Sequence, residues 1–244
     1  YYYDGRYILL YGGKMKKIVV IPARGGSKGI PQKNIYPVNG KPLIEYTLDM
    51  LSRTALSDMD VVVSTDSDKI KAVVEKYQNV MIVDRPEDIS GDEATTEAAL
   101  LHALDVMDKK FGKNYDAVLT LQATSPLRLP ETLKSFVEHF EAIYPSYDAQ
   151  LSLNENRADF WIATGNNQYE RLYKDAPRRR QERTPLYIEN SAYYITSVEA
   201  LRKTKSVLGT KVNGFVISDV EAVDINEPLD IVIAENLLRQ RKDI

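Results

Sequence analysis

The fold is decided by the stretch Ile18-Val19-Val20-Ile21-Pro22-Ala23-Arg24-Gly25-Gly26-Ser27-Lys28-Gly29-Ile30-Pro31-Gln32-Lys33-Asn34. Its four leading residues are apolar and β-branched, which is typical of a strand buried inside a parallel sheet. The chain then passes at once into a loop rich in glycine and basic residues. We therefore expect a buried strand that leads into a phosphate-binding loop.

This loop has the chemistry of an anion site. Glycines permit backbone N–H groups to turn toward an anion because they carry no Cβ, and basic side chains add positive charge. The paired glycines and the following Pro31 do not fit the dinucleotide fingerprint, and the spacing of a P-loop is absent. A third type of loop, suited to a polyphosphate, is therefore predicted. The glycines are Gly25, Gly26 and Gly29, and the basic residues are Arg24, Lys28 and Lys33.

Strand and helix patterns alternate over the next hundred residues. Buried strands are predicted at 61–65, 80–83 and 116–121, and helices begin near residues 41, 66, 95 and 133. This alternation predicts an α/β fold of three layers, with a mostly parallel sheet and helices on both faces. Since ligands of such sheets bind at the carboxyl ends of the strands, the loop from Gln122 to Arg128 is a second candidate site.

Apolar spacing also predicts which helix residues are buried. Leu100, Leu104, Met107 and Phe111 fall on one helical face and are expected in the core, whereas His102 beside them is expected to be packed or surface-exposed rather than a ligand. The last helix carries Leu229, Ile233 and Leu237, with Asn226 or Glu227 as its cap. Further strands are expected at 191–196 and 214–217.

Composition bounds the function. The 244 residues carry a net charge of −3, so no global field attracts nucleic acid or acidic lipid. Cysteine is absent, which excludes disulfides and thiolate metal sites and fits a cytoplasmic protein. No apolar run approaches the roughly 18 residues that a membrane span needs. Residues 1–14 precede Met15 and are expected to lie outside the fold, while 15–244 is expected to form a single domain.

Several ordered motifs resemble those of the acylneuraminate cytidylyltransferases, which make CMP-sialic acid and related CMP-nonulosonic acids. The resemblance covers roughly residues 16 to 240 and implies a Rossmann-like fold of the nucleotide-diphospho-sugar transferase type. It also implies transfer of CMP from CTP to a nine-carbon 2-keto sugar acid. The motifs are Ile21–Pro31 with Lys33-Asn34, Gly40–Ile44, Ser64–Ser67, Arg85-Pro86, Leu121–Arg128, Glu189–Tyr194 and Val223–Ile225.

The resemblance also assigns roles to residues. The nucleotide is expected to contact Ala23, Arg24, Gly25, Gly26, Ser27, Lys33, Asn34 and Arg85, with the backbone of Ala23 and Arg24 near the cytosine. Catalysis is expected to use Arg24, Lys28, Lys33 and Asp224. The sugar acid is expected to contact Gln122, Ser125, Arg128, Asn190 and Tyr194.

The metal site departs from the family pattern. Mg²⁺ usually takes one or two carboxylates besides phosphates and water, and the family supplies them from an Asp-x-Asp motif. Asp224 matches the first aspartate, but Asn226 stands where the second is expected. Asn226 is either a weaker oxygen ligand or a helix cap, and Asp230 or a water is an alternative second ligand. The family's Asn-Gly has likewise become Asn190-Ser191.

The pattern changes between about 149 and 187, where strand and helix no longer alternate. In the resembling family this region is an excursion that forms a homodimer and lends residues to the partner's site. The run from Arg178 to Arg183 is either a solvated charged surface or a source of such residues.

Two other functions stay open. One is activation of the eight-carbon acid 3-deoxy-manno-octulosonate with CTP. The segment Leu121–Arg128 argues against it, because it contains no aspartate where the family of those enzymes has a metal ligand. The other is an inactive nucleotide-binding homologue, supported by Asn226 alone.

Overall fold

The structure, a computed structural model of the protein, describes residues 14–27, 29–54 and 59–241. Its strands are β1 (Lys17–Pro22), β2 (Pro37–Val38), β3 (Lys41–Pro42), β4 (Met59–Thr65), β5 (Val80–Asp84), β6 (Ala117–Thr120), β7 (Ala149–Asn156), β8 (Trp161–Gly165), β9 (Gln168–Arg171), β10 (Leu186–Ser197) and β11 (Val212–Val216). Its α-helices are α1 (Leu43–Arg53), α2 (Asp68–Val74), α3 (Thr96–Phe111), α4 (Pro130–Ile143), α5 (Val198–Thr204) and α6 (Pro228–Gln240).

Seven strands form one sheet in the order β11-β7-β10-β6-β1-β4-β5. The strand that opens the analysed stretch, β1, lies near the centre and pairs in parallel with β4 and β6. Only β10 runs against its neighbours, pairing antiparallel with both β6 and β7. The prediction of a mostly parallel sheet is confirmed.

Helices cover both faces of this sheet, as predicted. Alternate residues of a strand point to opposite faces. Val19 and Ile21 of β1 therefore pack in one cluster with residues of α1, α2 and α4. Ile18 and Val20 pack on the other side with residues of α3 and α5. All four side chains are fully buried, so the strand is apolar throughout because both of its faces are covered.

The ends of α3 follow sequence signals, with one error. Thr95 caps the helix by accepting a hydrogen bond from the Ala98 N–H at 3.1 Å, and Gly112 ends it with φ +61. Leu100, Leu104 and Met107 are buried as predicted. The prediction for Phe111 is wrong: it is the last residue of the helix and its side chain is 55% exposed.

The last helix, α6, also buries a different side from the one its apolar spacing suggests. Glu227 is its cap, and the Asp230 carboxylate accepts from the Glu227 N–H at 2.8 Å. Leu229 is 66% and Ile233 41% exposed, whereas Leu237 is partly buried against the core cluster. The buried side of α6 consists of Ile231, Ala234 and Leu238. It packs over the loops at the carboxyl end of the sheet, in one cluster with Ile30, Val38, Leu43, Tyr46, Leu127 and Ile225.

The region from 149 to 187 begins inside the main sheet, as β7, and then leaves it. The strands β8 and β9 pair only with each other, in an antiparallel hairpin. Asp159 stands at the base of this hairpin and binds Arg171 through both carboxylate oxygens, at 3.0 and 2.9 Å. Arg183 and Arg178 also lie near Asp159 Oδ2, at 3.4 and 3.6 Å, and the Arg178 side chain is 78% exposed.

Two earlier expectations concern the limits of the chain. The proposed extension at 1–14 lies outside the described residues, apart from Lys14. Across the described ranges, every helix is too short or too polar to cross a membrane.

Candidate active site

A cleft of about 370 Å³ opens at the carboxyl end of the sheet. The loops that follow β1, β5 and β6 and the segment before α6 all contribute to it. This is the edge at which ligands of open α/β sheets bind. Its lining consists of Pro22, Arg24, Gly26, Ser27, Gly29, Lys33, Asn34, Arg85, Ala94, Thr95, Thr96, Gln122, Thr124 and Asn226.

The glycines of the loop after β1 differ in how closely they approach neighbouring segments. A Cβ at Gly25 would stand 2.9 Å from the Cβ of Ser67, and one at Gly29 would stand 2.7 Å from the Asn226 carbonyl oxygen. At Gly26 a Cβ would meet no atom within 4 Å. In this structure the Gly25 N–H donates to Asp66 Oδ1 at 2.7 Å. Two of the glycines thus permit close approach of neighbouring segments.

Three basic side chains converge on the cleft. Lys33 Nζ donates to the Ile225 carbonyl at 2.9 Å and to Asn226 Oδ1 at 3.1 Å. Burial lowers the pKa of Lys33, an effect that the carboxylates of Asp224 and Asp230 oppose. Arg85 is only 8% exposed, and burial lowers its pKa as well. With Arg24, these side chains supply the positive charge that a polyphosphate needs. Lys28 lies outside the described residues.

Hydrogen bonds fix the backbone and guanidinium groups of this part of the cleft. Ala23 is fully buried and its N–H donates to the Ser64 carbonyl at 2.9 Å. Asn34 Nδ2 donates to the Arg24 carbonyl at 2.9 Å. Arg85 Nη2 donates to the same Ser64 carbonyl at 2.7 Å. Of the residues predicted from the resemblance to contact the nucleotide, Ala23 is packed in the core and Gly25 is bonded to Asp66. The other six line the cleft: Arg24, Gly26, Ser27, Lys33, Asn34 and Arg85.

Asp224 and Asn226 adjoin the cleft from the segment before α6. Asn226 Nδ2 donates to Asp224 Oδ2 at 2.7 Å, while its amide oxygen accepts from Lys33. The other carboxylate oxygen of Asp224, Oδ1, is buried and has no hydrogen-bond partner. A buried carboxylate oxygen without a donor suits a cation. The amide oxygen of Asn226, in contrast, already faces Lys33.

The residues present therefore fit a Mg²⁺ ion that takes a single carboxylate. Within the described ranges, no group of three or more His, Cys, Asp or Glu side chains is placed to hold a metal. Mg²⁺ often takes one protein carboxylate and completes its coordination with substrate phosphates and water, so Asp224 alone satisfies the protein's share.

The loop after β6 separates the residues predicted to contact the acceptor. Gln122 lines the cleft, but Ser125 is 1% and Arg128 3% exposed. The Arg128 guanidinium donates to the Ala192 carbonyl at 2.8 Å, to the Gln122 carbonyl at 2.6 Å and to Thr47 Oγ1 at 2.6 Å. Burial lowers its pKa to about 10. In this structure Arg128 holds the loop rather than facing the cleft.

Asn190 lies within an irregularity of β10, and Tyr194 marks the end of it. The register between β10 and β7 shifts between Glu189 and Tyr194, and Ser191 there has φ +60. Asn190 Oδ1 accepts from Ser152 Oγ at 2.6 Å, and the Tyr194 hydroxyl donates to Glu189 at 2.5 Å. Both predicted residues are thus buried in hydrogen-bonded networks, and neither lines the cleft.

Sequence reasoning missed one wall of the cleft. Ala94, Thr95 and Thr96 line it from the start of α3. The capping threonine was a visible signal for the start of a helix, but it does not indicate that the start faces a site. Thr124 also lines the cleft, and its hydroxyl is buried without a partner.

The fold and the cleft define a class. A mostly parallel α/β sheet with a glycine-containing, basic loop after its first strand, and an unpartnered aspartate oxygen beside it, is the architecture of a nucleotide-binding enzyme. The sequence model described as Cytidylyltransferase matches residues 18–208. The chain belongs to this cytidylyltransferase family.

Similar proteins agree with this placement. CMP-N,N'-diacetyllegionaminic acid synthase of Legionella pneumophila is 31% identical over 94% of this chain and 99% of its own length. Pseudaminic acid cytidylyltransferase of Campylobacter jejuni is 30% identical over 92% of this chain and 97% of its own length. N-acylneuraminate cytidylyltransferase of Streptococcus agalactiae is 29% identical over 89% of this chain, which spans only 52% of that protein.

Solved structures share the fold. CMP:2-keto-3-deoxy-manno-octonic acid synthetase in complex with CTP superposes with a TM-score of 0.62 at 17% identity, over 92% of this chain and 99% of that one. 4-Diphosphocytidyl-2C-methyl-D-erythritol synthase from Anaerococcus prevotii gives 0.65 at 18% identity, over 93% and 97%. At these identities the likeness concerns the fold.

Proposed function

We propose that this protein transfers CMP from CTP to a nine-carbon 2-keto sugar acid of the sialic, legionaminic or pseudaminic type. An oxygen of the sugar acid attacks the α-phosphorus of CTP, a P–O bond to the acceptor forms, the bond to the β-phosphate oxygen breaks, and pyrophosphate leaves. The proton of the attacking hydroxyl is released to solvent water. The names of the 31% and 30% identical relatives support this acceptor class.

One observation carries the proposal: Asn226 joins Lys33 to Asp224 Oδ2 at the same end of the sheet, which leaves the buried Oδ1 of Asp224 without a donor. Transfer of a nucleotidyl group spreads negative charge over phosphate oxygens, and cations placed beforehand stabilise it. Lys33, Arg24 and Arg85 supply such charge from the protein. We assign Asp224 to Mg²⁺, which when bound would neutralise phosphate charge, and assign Gln122 to the acceptor side of the cleft.

The homodimer is a further part of the proposal. Large apolar side chains are exposed on and beside the β8–β9 hairpin: Trp161, Ile162, Tyr169, Leu172 and Tyr173. Several large apolar side chains exposed on one hairpin favour a protein interface there. Sedimentation of the full chain, compared with Trp161→Glu and Tyr169→Glu, tests it: a dimer that both variants dissociate agrees, and a monomeric wild type disagrees. Since the reaction consumes CTP, we place it in the cytoplasm.

Pyrophosphate release tests the reaction. The full chain is incubated with CTP, Mg²⁺ and one acceptor at a time: N-acetylneuraminate, a legionaminic acid, a pseudaminic acid or 3-deoxy-manno-octulosonate. Release with one of the nine-carbon acids supports the proposal and identifies the acceptor. Release with the octulosonate alone overturns the acceptor class, and binding of CTP without release under any acceptor indicates an inactive homologue.

Asp224→Ala is the matched variant for the metal. We expect it to abolish Mg²⁺-dependent release, because it removes the only carboxylate assigned to the ion, while the melting temperature stays within a few degrees of wild type. Activity near the wild-type level would contradict the assignment of Asp224.

A further inference from the structure

The Arg24 side chain connects two loops that are distant in sequence. Arg24 follows β1, and its Nη1 donates to the Gly91 carbonyl at 2.6 Å, in the loop between β5 and α3. The same nitrogen lies 3.1 Å from Asp92 Oδ1. Arg24 lines the cleft, whereas Gly91 and Asp92 do not. One end of the guanidinium is therefore held by residues outside the cleft.

The rest of the guanidinium is available. Among the residues that the structure describes, Nε and Nη2 of Arg24 have no hydrogen-bond partner. A guanidinium presents its N–H donors in a rigid planar fork, so fixing one nitrogen also fixes the direction of the others. Such a fork suits two oxygens of a phosphate.

The loop that holds Arg24 also forms a wall of the cleft. The Gly91 carbonyl accepts a second hydrogen bond, from the Ala94 N–H at 3.1 Å, which closes a tight turn. Ala94, Thr95 and Thr96 follow directly and line the cleft. The contact between Arg24 and Asp92 therefore joins the basic loop after β1 to the start of α3.

We propose that Asp92 is a positioning residue for the nucleotide, which acts through Arg24. Its carboxylate fixes Nη1, so that Nε and Nη2 are presented to the polyphosphate and the start of α3 is held at the cleft. This inference rests on the proposed function, since it assumes that a nucleotide triphosphate occupies the cleft.

The sign of the effect separates positioning from simple charge repulsion. A carboxylate close to a triphosphate repels it, so loss of the Asp92 charge alone would strengthen CTP binding. Loss of a positioning contact weakens it. Asp92 is 59% exposed, and exposed ion pairs are weak, so we expect a weakening of about three- to five-fold.

Calorimetric titration of the full chain with CTP provides the test. The variants are Asp92→Asn, Asp92→Glu and the matched control Glu93→Gln, which removes the same charge from the next residue. We expect weaker binding for Asp92→Asn, partial recovery for Asp92→Glu, and wild-type affinity or better for Glu93→Gln. In an Arg24→Lys background, Asp92→Asn should have no further effect, because the contact it removes is already altered.

The positioning role would be overturned if Asp92→Asn bound CTP as tightly as Glu93→Gln does, or more tightly. That result would leave the proposed function intact. An equal loss from Asp92→Asn in the wild-type and Arg24→Lys backgrounds would also overturn it, since the effect would not pass through Arg24. If wild-type protein bound no CTP, the proposed function would fail and this inference with it.

Discussion

Replacing Gly29 by alanine tests whether the basic loop depends on close contact with the segment before α6. The added Cβ would stand 2.7 Å from the Asn226 carbonyl oxygen, a distance that real Cβ atoms essentially never show. That oxygen belongs to the backbone, and the N–H of the same residue is held by Asp230 at 2.9 Å, so the segment cannot yield by rotating a side chain.

The size of the effect follows from this overlap. Forcing an extra carbon into a packed contact costs about 1–3 kcal/mol. The loop must either bear this cost in the folded state or move away from Asn226, which would separate Lys33 from Asn226 and Ile225. In the second case the loss appears in CTP binding, at about five- to 150-fold for the same free energy.

Gly26→Ala is the matched control in the same loop, because a Cβ there meets no atom within 4 Å. Urea unfolding and calorimetric titration with CTP are measured for both variants. We expect Gly26→Ala to unfold at or slightly above the wild-type urea concentration, and Gly29→Ala to lose stability, CTP affinity or both. Because Gly26 lines the cleft, the CTP affinity of Gly29→Ala is compared with that of wild type. The reasoning is refuted if Gly29→Ala unfolds as Gly26→Ala does and binds CTP as wild type does.

Three further changes test other parts of the account. Ser191→Gly should raise the free energy of unfolding by up to about 1 kcal/mol, because φ +60 strains a residue that carries a Cβ. Ser191→Val should lower it, and changes of the opposite sign in urea unfolding would contradict this explanation. Asn226→Asp should lower the melting temperature measured without Mg²⁺, because a carboxylate cannot donate to Asp224. Adding Mg²⁺ should then raise the melting temperature of this variant by more than it raises that of wild type. An equal rise in both proteins would count against it. Arg128→Lys should lower the free energy of unfolding in urea by about 2–4 kcal/mol, because an ammonium cannot reach all three acceptors of the guanidinium. A decrease below about 0.5 kcal/mol would show that the loop does not depend on the guanidinium.

The central sheet was predictable because its strands are covered on both faces. A strand such as β1 must be apolar at every position, and that continuous pattern is visible in sequence. The differences fall where the layer beside a helix decides burial. Phe111 is exposed because it stands at the end of α3, and Leu229 is exposed because α6 packs through the side that carries Ile231, Ala234 and Leu238. Apolar spacing alone shows neither where a supporting layer ends nor which side of a helix it covers.

The site was predictable in its location and less so in its contacts. The basic loop after β1 and the Asp224 segment do meet at one edge, because parallel strands place their carboxyl ends together. Whether a loop side chain faces the cleft or the core is decided by distant partners. Arg128 turns inward because Ala192 and Thr47, which are remote in sequence, offer acceptors there.

The contribution of Asp92 was invisible for a similar reason. It stands 68 positions from Arg24 along the chain, in an acidic stretch that looks like ordinary solvated surface. Only the crossing of the two loops brings its carboxylate to the guanidinium.

The measurement that tests the central claim most directly follows the α-phosphorus of CTP. The full chain is incubated with Mg²⁺, CTP labelled at that phosphorus and a nine-carbon 2-keto sugar acid, and the products are separated. The account predicts that the label appears in a CMP-sugar acid and that unlabelled pyrophosphate is released in equal amount. Label that stays in CTP, or leaves as free CMP whether or not the sugar acid is present, would contradict it.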